Sequence, residues 1–301
     1  MSLASTRKAW IHAFRLRTLP LALSSIVMGT VIAFQDGAFR WIIFVLAALT
    51  TTLLQVLSNL ANDYGDSVHG ADHEERKGPR RAVQSGAISA SSMKKGIILF
   101  SLLSLMSGLA LLIVALETVY LFFLFLALGL LAIFAAITYT SGSKPYGYAG
   151  LGDLAVFLFF GWVGVMGTYY LHTLSFDSSI WLPASAVGLL STGVLNINNI
   201  RDIESDKKAG KKSIPVRIGK EDAARYHWLL LLLALSLLLA FVVLEQAYGA
   251  LLYILAAPVL LRTGWAVVKV DTPEKLDPYL RVMALGTFLC VLLFGLGWVI
   301  F

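Results

Sequence analysis

Two acidic stretches of the sequence carry residue types that suit the binding of a metal ion and a polyanion. The first reads NLANDYGDSVHGADHEERKGPRRAVQSG, and the second reads LNINNIRDIESDKKAGKKSIPVRIG. Asn62-x-x-x-Asp66 in the first stretch recurs as Asn198-x-x-x-Asp202 in the second, each time where an apolar run ends and a basic loop begins. Carboxylates followed at once by bases fit a polyanion that divalent cations help to bind.

The spacing of these residues indicates which side chains could act together. In a helix that continues to the membrane surface, Asn62 and Asp66 share one face at positions i and i+4, and Asn198, Asp202 and Asp206 do so at i, i+4 and i+8. Proteins hold Mg²⁺ through one or two carboxylates together with phosphate oxygens. The pattern therefore predicts a Mg²⁺ site built by both stretches, in which the metal stabilises a departing diphosphate.

Basic side chains beside the two stretches would neutralise the remaining negative charge of a diphosphate. These bases are Arg76, Lys77, Arg80, Arg81, Lys211, Lys212 and Arg217. Helix ends at a membrane surface also carry Asp, Asn and Lys simply because these residues are exposed to water there. Two stretches with one pattern favour the metal–phosphate interpretation over that simpler one.

A third stretch, TYTSGSKPYGYAGLGD, follows an apolar run and contains a single base, Lys144. We expect Lys144 to contact the diphosphate, and Tyr139 to present its ring face or hydroxyl to a developing positive charge. The alternative is an interfacial aromatic belt with a lysine that serves only topology.

The bulk of the sequence is far too apolar for a soluble domain. Of its 301 residues 58% are hydrophobic and 14% are charged, whereas soluble domains carry about 25% charged residues. A membrane-spanning helix needs roughly 20 apolar residues, and nine runs qualify. They are about 18–34, 41–62, 96–116, 118–139, 151–171, 180–200, 226–244, 247–267 and 280–301. The sequence predicts an all-α polytopic membrane protein, with eight spans as the alternative if one of the two short turns, at 117 or 245–246, is misplaced.

The distribution of basic residues predicts the orientation of these spans. With nine spans and the amino terminus in the cytoplasm, 23 of the 24 lysines and arginines lie on the cytoplasmic side, and only Arg40 lies on the other. Both acidic stretches are then cytoplasmic and the carboxyl terminus lies outside. We expect one domain, residues 1–301, in contact with the lipid bilayer, and no nucleic-acid partner.

Within residues 1–17, Trp10, Ile11 and Phe14 fall on one side of a short interfacial helix, with a frayed basic tail as the alternative.

The motifs NDYGDSVHGAD and NNIRDIESD resemble the two Asp-rich motifs of the UbiA superfamily of intramembrane prenyltransferases. The resemblance covers essentially the whole chain and includes RLRTLP, YTSGSKPYGYAGLGD and GKKSIPVRIG. RLRTLP, LANDYGD and GPRRAVQSGAIS are similar to the branch of that superfamily that uses 1,4-dihydroxy-2-naphthoate.

The resemblance implies a Mg²⁺ site shared by both motifs and bridged by the isoprenoid diphosphate. Asp66 matches the leading carboxylate of the first motif, and Asp202 and Asp206 match the second motif without departure. The last carboxylate of the first motif, which in many members comes four residues after the leading one, would fall on Gly70 here. The next carboxylate is Asp72, and this longer spacing resembles the naphthoate branch.

The resemblance also implies the reaction and its setting. A polyprenyl group would pass from polyprenyl diphosphate to 1,4-dihydroxy-2-naphthoate with loss of CO₂, giving demethylmenaquinone. The nine helices would surround a central cavity that opens near the cytoplasmic side of the bacterial inner membrane. Arg17 and Arg81 are both candidates for holding the carboxylate of the acceptor. The residues expected to act directly in catalysis are Asp66, Asp202, Tyr139 and Lys144.

Three other functions remain compatible with parts of the sequence. Another enzyme of the superfamily would use 4-hydroxybenzoate, homogentisate, haem or a chlorophyllide as acceptor. A phosphatidyl transferase would carry the pattern D-G-x-x-A-R, which the sequence lacks. A cation-coupled transporter would place its acids near the bilayer midplane, whereas here they cluster at one predicted membrane face. The sequence predicts neither an oligomeric state nor the length of the prenyl chain.

Overall fold

A computed structural model describes residues 3–70 and 80–301 of the chain, with side chains described from Thr6 onward. All regular secondary structure in those residues is helical, and nine segments are long and apolar enough to cross a membrane. They are Thr6–Gln35, Trp41–Val68, Ala90–Ala115, Val119–Thr138, Gly152–Thr173, Ser178–Arg201, Ile214–Leu244, Tyr248–Lys269 and Pro273–Ile300. The predicted all-α architecture with nine spans is confirmed for this part of the chain.

We number the helices in chain order. They are α1 (Leu3–Phe14), α2 (Leu19–Gln35), α3 (Trp41–Val68), α4 (Ala90–Ala115), α5 (Val119–Thr138), α6 (Gly152–Thr173), α7 (Trp181–Arg201), α8 (Ile203–Lys208), α9 (Ile214–Leu244), α10 (Tyr248–Lys269) and α11 (Asp277–Ile300). Part of α6, Phe157–Met166, winds in wide π-helical turns, and the first part of α10, Tyr248–Ala256, is a 3₁₀ helix.

The helices pack as two groups that meet around the middle of the molecule. In one group, α3 packs along α4, and both contact α5. In the other, α7 packs along α9 and against α6, while α11 packs against α2 and α10. The larger core of buried apolar side chains, which includes Ile197, Leu231 and Phe294, belongs to the second group. This arrangement brings the ends of α3 and α7, which carry the two acidic motifs, to one region.

Helix α1 is ordered against the bundle rather than frayed. Trp10 covers Gly96, where an added Cβ would lie 2.9 Å from the indole ring. Phe14 meets Phe100 edge-on, with ring centroids 5.3 Å apart. Ile11, which was expected on the same side as these two aromatics, is 46% exposed. The short amino-terminal helix is therefore present, and its contact with a membrane surface stays a prediction.

The chain turns sharply between α1 and α2. Arg15 adopts a left-handed backbone conformation, with φ of 48°, which is uncommon for a residue other than glycine. The buried Asn59 of α3 holds this turn, because its amide donates to the Phe14 carbonyl at 3.0 Å and to the Thr18 hydroxyl at 3.1 Å. The turn thereby places Arg15 and Arg17 at the edge of the central cavity.

Helices α3, α4 and α9 extend beyond the ranges expected from hydropathy, and α4 begins at Ala90 instead of 96. Helix α3 continues six residues beyond 62 to Val68, and α9 begins at Ile214 instead of 226, with a break at Gly219 (φ 82°). Helix α7 ends at Arg201, so Asp202 lies at the junction with α8 and the face expected to carry the second motif is interrupted there. Hydropathy detects only the apolar part of a helix, and these extensions are polar.

Candidate active site

A cavity of about 810 Å³ lies where the two groups of helices meet. Side chains from α2, α3, α4, α5, α6, α7 and α11 line it, and most of this lining is apolar. The polar residues that line it include Arg17, Asn62, Asp66, Arg81, Tyr139, Asn198 and Lys211. Both acidic motifs thus contribute an asparagine to one cavity, and the first also contributes its leading aspartate.

Asp66, near the end of α3, is buried and receives a donor on each carboxylate oxygen. Tyr148 donates its hydroxyl to Oδ1 at 2.9 Å, and an Arg81 guanidinium nitrogen lies 2.5 Å from Oδ2. The same nitrogen donates to the Asn62 carbonyl at 2.6 Å. Burial, with the negative charge of Asp66 acting in the same sense, raises the pKa of Tyr148 above its ordinary value, so the phenol keeps the proton that it donates.

Asp63 has a structural role that the sequence did not distinguish from metal binding. Its carboxylate accepts the backbone N–H groups of Ala82 at 3.0 Å and Val83 at 3.1 Å. These two bonds fix the segment after residue 80 against α3. Asp63 therefore positions Arg81 beside Asp66.

The third stretch packs tightly on the first motif through Gly65 and Thr140. The Thr140 hydroxyl donates to the Ala61 carbonyl at 3.0 Å and to the Asn62 side-chain oxygen at 3.2 Å. An added Cβ at Gly65 would lie 2.5 Å from the Thr140 carbonyl oxygen. Only glycine permits this close approach, which places the loop after α5 next to Asp66.

The second motif is organised by an arginine that sequence analysis did not assign. Arg201 is 3% exposed. It donates to both oxygens of Asp202, from Nε at 2.8 Å and from Nη2 at 2.7 Å. Nη2 also donates to the Asn198 side chain at 2.9 Å, and Nη1 donates to Asp277 at 2.7 Å. The leading carboxylate of the second motif is thus held by a bidentate charged pair.

Asp206 and Lys211 form the third pair, with Nζ 3.4 Å from Oδ1. Burial raises the pKa of Asp206 to about 6, and Lys211 limits that rise. Burial alone would lower the pKa of Lys211, but Asp66 and then Asp206 outweigh it and hold this pKa above its usual value. The charges of both motifs therefore act on a lysine that stays protonated.

Within residues 3–70 and 80–301, no three carboxylate, imidazole or thiolate side chains lie close enough to hold a metal ion as they stand. Basic side chains instead lie against Asp66, Asp202 and Asp206. The donor chemistry still fits Mg²⁺, which prefers carboxylate oxygens. In addition, Oδ2 of Asp206 is buried with no hydrogen-bond partner among the described residues. Asp72 and Arg76, which were also predicted to take part, lie outside the described residues.

Tyr139 lies at the end of α5 and lines the cavity. Burial raises the pKa of its phenol to about 12, with Lys211 acting in the opposite direction, so its ring stays neutral and electron-rich. Tyr146 meets it edge-on at 5.3 Å between centroids. Lys144, by contrast, is exposed and does not line the cavity. Its contact with a diphosphate stays a prediction. The contact would require the loop after α5 to reach towards the cavity, or the ligand to reach out to Lys144.

A smaller pocket of about 260 Å³ adjoins the polar side of the cavity. Its basic lining residues are His12, Arg15, Arg17, Arg80, Arg81 and Arg201. Arg17 pairs with Asp277 at 3.3 Å. Lys212, in contrast, is exposed and lines neither pocket, although its backbone N–H donates to the Tyr148 carbonyl at 2.9 Å. The arginines of this pocket make it suited to a small anion.

Sequence reasoning missed four residues of this region. Arg15, Tyr148, Arg201 and Asp277 were not assigned to the site. Arg201 stands inside the second motif as Asn-Asn-Ile-Arg-Asp, and that position was the available signal. Asp277 lies 75 residues beyond Asp202 and has no pattern that links it to the motifs, because tertiary packing alone brings α11 there.

Comparison with known proteins finds relatives that are similar in sequence and in fold. The model of the UbiA prenyltransferase family matches residues 22–289. A curated 1,4-dihydroxy-2-naphthoate octaprenyltransferase of Escherichia coli K12 is 46% identical, over 97% of this chain and 96% of that protein. The apo structure of a UbiA homologue from Aeropyrum pernix K1 is similar in fold, with a TM-score of 0.64 and 22% identity over 91% of this chain and 96% of that one. A UbiA homologue from Archaeoglobus fulgidus, bound to GPP and Mg²⁺, is also similar in fold. Its TM-score is 0.59 and its identity 19%, over 94% of this chain and 99% of that one.

Proposed function

The chain belongs to the UbiA prenyltransferase family, and from that premise we propose that it prenylates 1,4-dihydroxy-2-naphthoate. The donor is a polyprenyl diphosphate, CO₂ is lost from the acceptor, and the product is demethylmenaquinone. The single observation that carries this proposal is the cavity, in which Asn62, Asp66 and Asn198 of the acidic motifs lie with Arg81 and Lys211 beside a long apolar wall. The name of the similar Escherichia coli protein supports the choice of acceptor.

The apolar wall and the polar residues of the cavity suit the two parts of the donor. The prenyl tail lies along the apolar side chains, which also exclude water from a reactive allylic cation. Lys211 and Arg81 bind the diphosphate, because both are buried bases that line the cavity. Tyr139 presents a neutral ring to the positive charge that develops as the diphosphate leaves, an attraction that acts within about 6 Å.

Mg²⁺ is the cofactor that these residues fit. Asp66, Asp202 and Asp206 would hold it, and Asp72 is a further proposed ligand. When bound, Mg²⁺ would neutralise charge on the departing diphosphate. The similar fold of a UbiA homologue that binds GPP and Mg²⁺ supports this assignment. Arg76, Arg80, Lys212 and Lys144 are proposed to contribute further positive charge.

The acceptor carboxylate is proposed to bind in the small basic pocket. Arg17 and Arg81 line both this pocket and the cavity, so a ring that spans the two would have its carboxylate on arginine and its reacting carbon toward the donor. Arg15 lies beside them. Planar guanidinium groups bind carboxylates through two parallel hydrogen bonds, which would fix the orientation of the acceptor.

The protein is a multi-pass membrane protein, and we propose that it lies in the bacterial inner membrane with its amino terminus in the cytoplasm. The charge distribution of the loops supports that orientation,. We also propose that residues 1–301 act as one catalytic domain, because α2, α3, α7 and α11 all contribute to a single cavity.

The test is an acceptor panel with one polyprenyl diphosphate. Purified protein receives Mg²⁺, farnesyl diphosphate and either 1,4-dihydroxy-2-naphthoate, 4-hydroxybenzoate or homogentisate, and products are identified by mass spectrometry. We expect a decarboxylated, prenylated product from dihydroxynaphthoate alone. Efficient prenylation of 4-hydroxybenzoate instead would overturn the assignment of the acceptor, and no product from any acceptor would overturn prenyl transfer.

A further inference from the structure

Three carboxylates of the acidic motifs, those proposed above to hold Mg²⁺, are each paired with a base that the protein itself supplies. The pairs are Asp66 with Arg81, Asp202 with Arg201, and Asp206 with Lys211. All six side chains are at most 10% exposed, so salt and water screen these pairs only weakly. Each of these three carboxylates therefore already has a cationic partner before any ligand binds.

We propose that Arg81, Arg201 and Lys211 are exchangeable counter-cations that make Mg²⁺ and diphosphate bind together, so that neither binds well alone. The inference depends on the proposed function, because it concerns the same diphosphate. Mg²⁺ alone would enter a region where each carboxylate already has a cation. A diphosphate alone would have to compete with the carboxylates for their bases.

Joint binding removes both difficulties in one exchange of partners. The carboxylates pass from the bases to Mg²⁺, and the released bases pass to the oxygens of the diphosphate. The charges of the two ligands have opposite signs and largely offset each other, so joint binding adds less net charge to the buried region than the diphosphate alone would add. Burying an uncompensated charge is costly, and this cost is what opposes either ligand by itself.

Arg201 has the geometry that such an exchange requires. Two of its nitrogens, Nε and Nη2, hold Asp202, whereas the third, Nη1, donates to Asp277 at 2.7 Å. When a metal takes Asp202, Asp277 can keep Nη1, so the guanidinium turns without leaving the site. Arg201 already lines the small pocket next to the cavity, and Asp277 is therefore a positioning residue for it.

The proposal and a purely structural role for Arg201 predict opposite changes in the affinity for metal alone when Arg201 is substituted. If Arg201 only stabilises the fold around Asp202, Arg201→Gln weakens the binding of metal and diphosphate alike. If it is an exchangeable counter-cation, Arg201→Gln frees Asp202, strengthens metal binding in the absence of diphosphate and weakens diphosphate binding in the presence of metal. Glutamine removes the positive charge and retains much of the side-chain length.

The experiment measures the two ligands separately on the full-length protein in lipid nanodiscs. Mn²⁺, as a probe for Mg²⁺, is titrated alone and followed by the loss of its free electron paramagnetic resonance signal. Radiolabelled inorganic pyrophosphate is followed by equilibrium dialysis with EDTA and with Mg²⁺. For the wild type we expect at least about tenfold stronger retention of pyrophosphate with Mg²⁺, since charge-assisted bonds are among the strong ones.

For Arg201→Gln we expect Mn²⁺ alone to bind about tenfold more tightly than to the wild type, and pyrophosphate with Mg²⁺ to bind more weakly. Arg225→Gln is the matched control, because it breaks an exposed arginine–aspartate pair with Asp222 at 2.7 Å on α9, away from the cavity lining. We expect it to leave both affinities within twofold. Unchanged or weaker Mn²⁺ binding by Arg201→Gln would overturn the proposal.

Three further outcomes keep the test decisive. If Arg201→Gln does not fold, Arg81→Gln tests the same exchange at Asp66. We again expect tighter binding of Mn²⁺ alone and weaker binding of pyrophosphate with Mg²⁺. If the wild type retains no pyrophosphate even with Mg²⁺, the proposed function itself fails. If it retains pyrophosphate equally with EDTA and with Mg²⁺, the exchange of partners is wrong while a diphosphate site stands.

Discussion

Asp66 is a buried carboxylate whose charge is balanced by Arg81 and whose other oxygen accepts from Tyr148. Asp66→Asn removes the charge at nearly constant size, so we expect prenyl transfer to fall by about a hundredfold or more, as when a group that stabilises transition-state charge is lost. Removing one partner of a buried ion pair also costs about 3–5 kcal/mol of stability. Product formation by mass spectrometry and thermal unfolding in detergent measure the two effects.

The double variant Asp66→Asn/Arg81→Gln separates catalysis from folding. It removes both charges of the pair, so we expect its unfolding temperature to return towards that of the wild type while turnover stays lost. Asp202→Ala should abolish turnover in the same way at the second motif. Near wild-type turnover in Asp66→Asn or Asp202→Ala would mean that these carboxylates have no part in the reaction.

Two lysines near the site differ in a way that predicts different kinetic effects. Lys211 is 8% exposed and lines the cavity, whereas Lys144 is exposed outside it. We expect Lys211→Gln to raise the KM for the polyprenyl diphosphate by about tenfold or more, since it removes a charge-assisted contact. Lys144→Gln should change this KM by no more than about threefold, because exposed charges are strongly screened. Initial rates over a range of donor concentrations, with acceptor held fixed, give both values, and equal effects would contradict this ranking.

At the scale of single residues, the sequence identified the acids of the site better than their partners. The repeated spacing of asparagine and aspartate predicted Asp66 and Asp202 for the site. Asp66 lines the cavity together with Asn62 and Asn198, whereas Asp202 does not. Nothing in that spacing distinguished Asp63, which accepts two backbone N–H groups. Arg201 and Asp277 were missed because their roles depend on contacts between helices that are distant in sequence.

At the scale of elements, the approach of α3 to the loop after α5 depends on Gly65. A Cβ there would lie 2.5 Å from the carbonyl oxygen of Thr140 and 2.6 Å from its carbonyl carbon, and backbone cannot yield as a flexible side chain would. We expect Gly65→Ala to destabilise the protein by about 1–3 kcal/mol, as overpacking usually does. Because the end of α3 must shift, Asp66 shifts with it, and turnover should fall by at least about tenfold.

Gly129→Ala in α5 is the stability control for this variant. A Cβ at Gly129 would meet no atom within 4 Å, and alanine is the better helix former by roughly 0.5–1 kcal/mol. We expect its unfolding temperature to equal or exceed that of the wild type. An unfolding temperature of Gly65→Ala that matches this control would show that the loop after α5 is not packed on α3 as described.

The same elements show what hydropathy can and cannot predict. Nine apolar runs correspond to nine spans in the described part of the chain, because a membrane-crossing helix must satisfy its backbone internally and present apolar side chains to lipid,. The polar extensions of α3 and α9 were invisible to that signal, as was the interruption of the second motif at Asp202. The wide turns of Phe157–Met166 leave no mark in hydropathy either, since they change the winding of the helix and not its composition.

At the scale of the whole molecule, the exterior and the cavity are apolar for different reasons. No residue in the most apolar stretch of α5 is buried, and α5 exposes the side chains of Phe123, Leu131 and Phe134. Such a surface is stable in lipid and would aggregate in water. The cavity presents apolar side chains inward, next to buried charged pairs. A substrate with a long apolar tail and a charged head can therefore be held with each part in a matching environment.

The orientation of the whole molecule is a prediction from its lysines and arginines, and it is open to a direct test. Placing the amino terminus in the cytoplasm puts 23 of the 24 basic residues on that side, which is the bias that fixes topology during insertion. With nine spans, alkaline phosphatase fused after Phe301 should be exported and active in a bacterial host, and green fluorescent protein at the same position should be dark. Fusions in the segment 140–150 should behave in the opposite way. An inactive phosphatase after Phe301 would mean an even number of spans or an inverted protein, and a phosphatase that is active at 140–150 would place the loop beside Asp66 on the wrong side of the membrane for a cytoplasmic diphosphate.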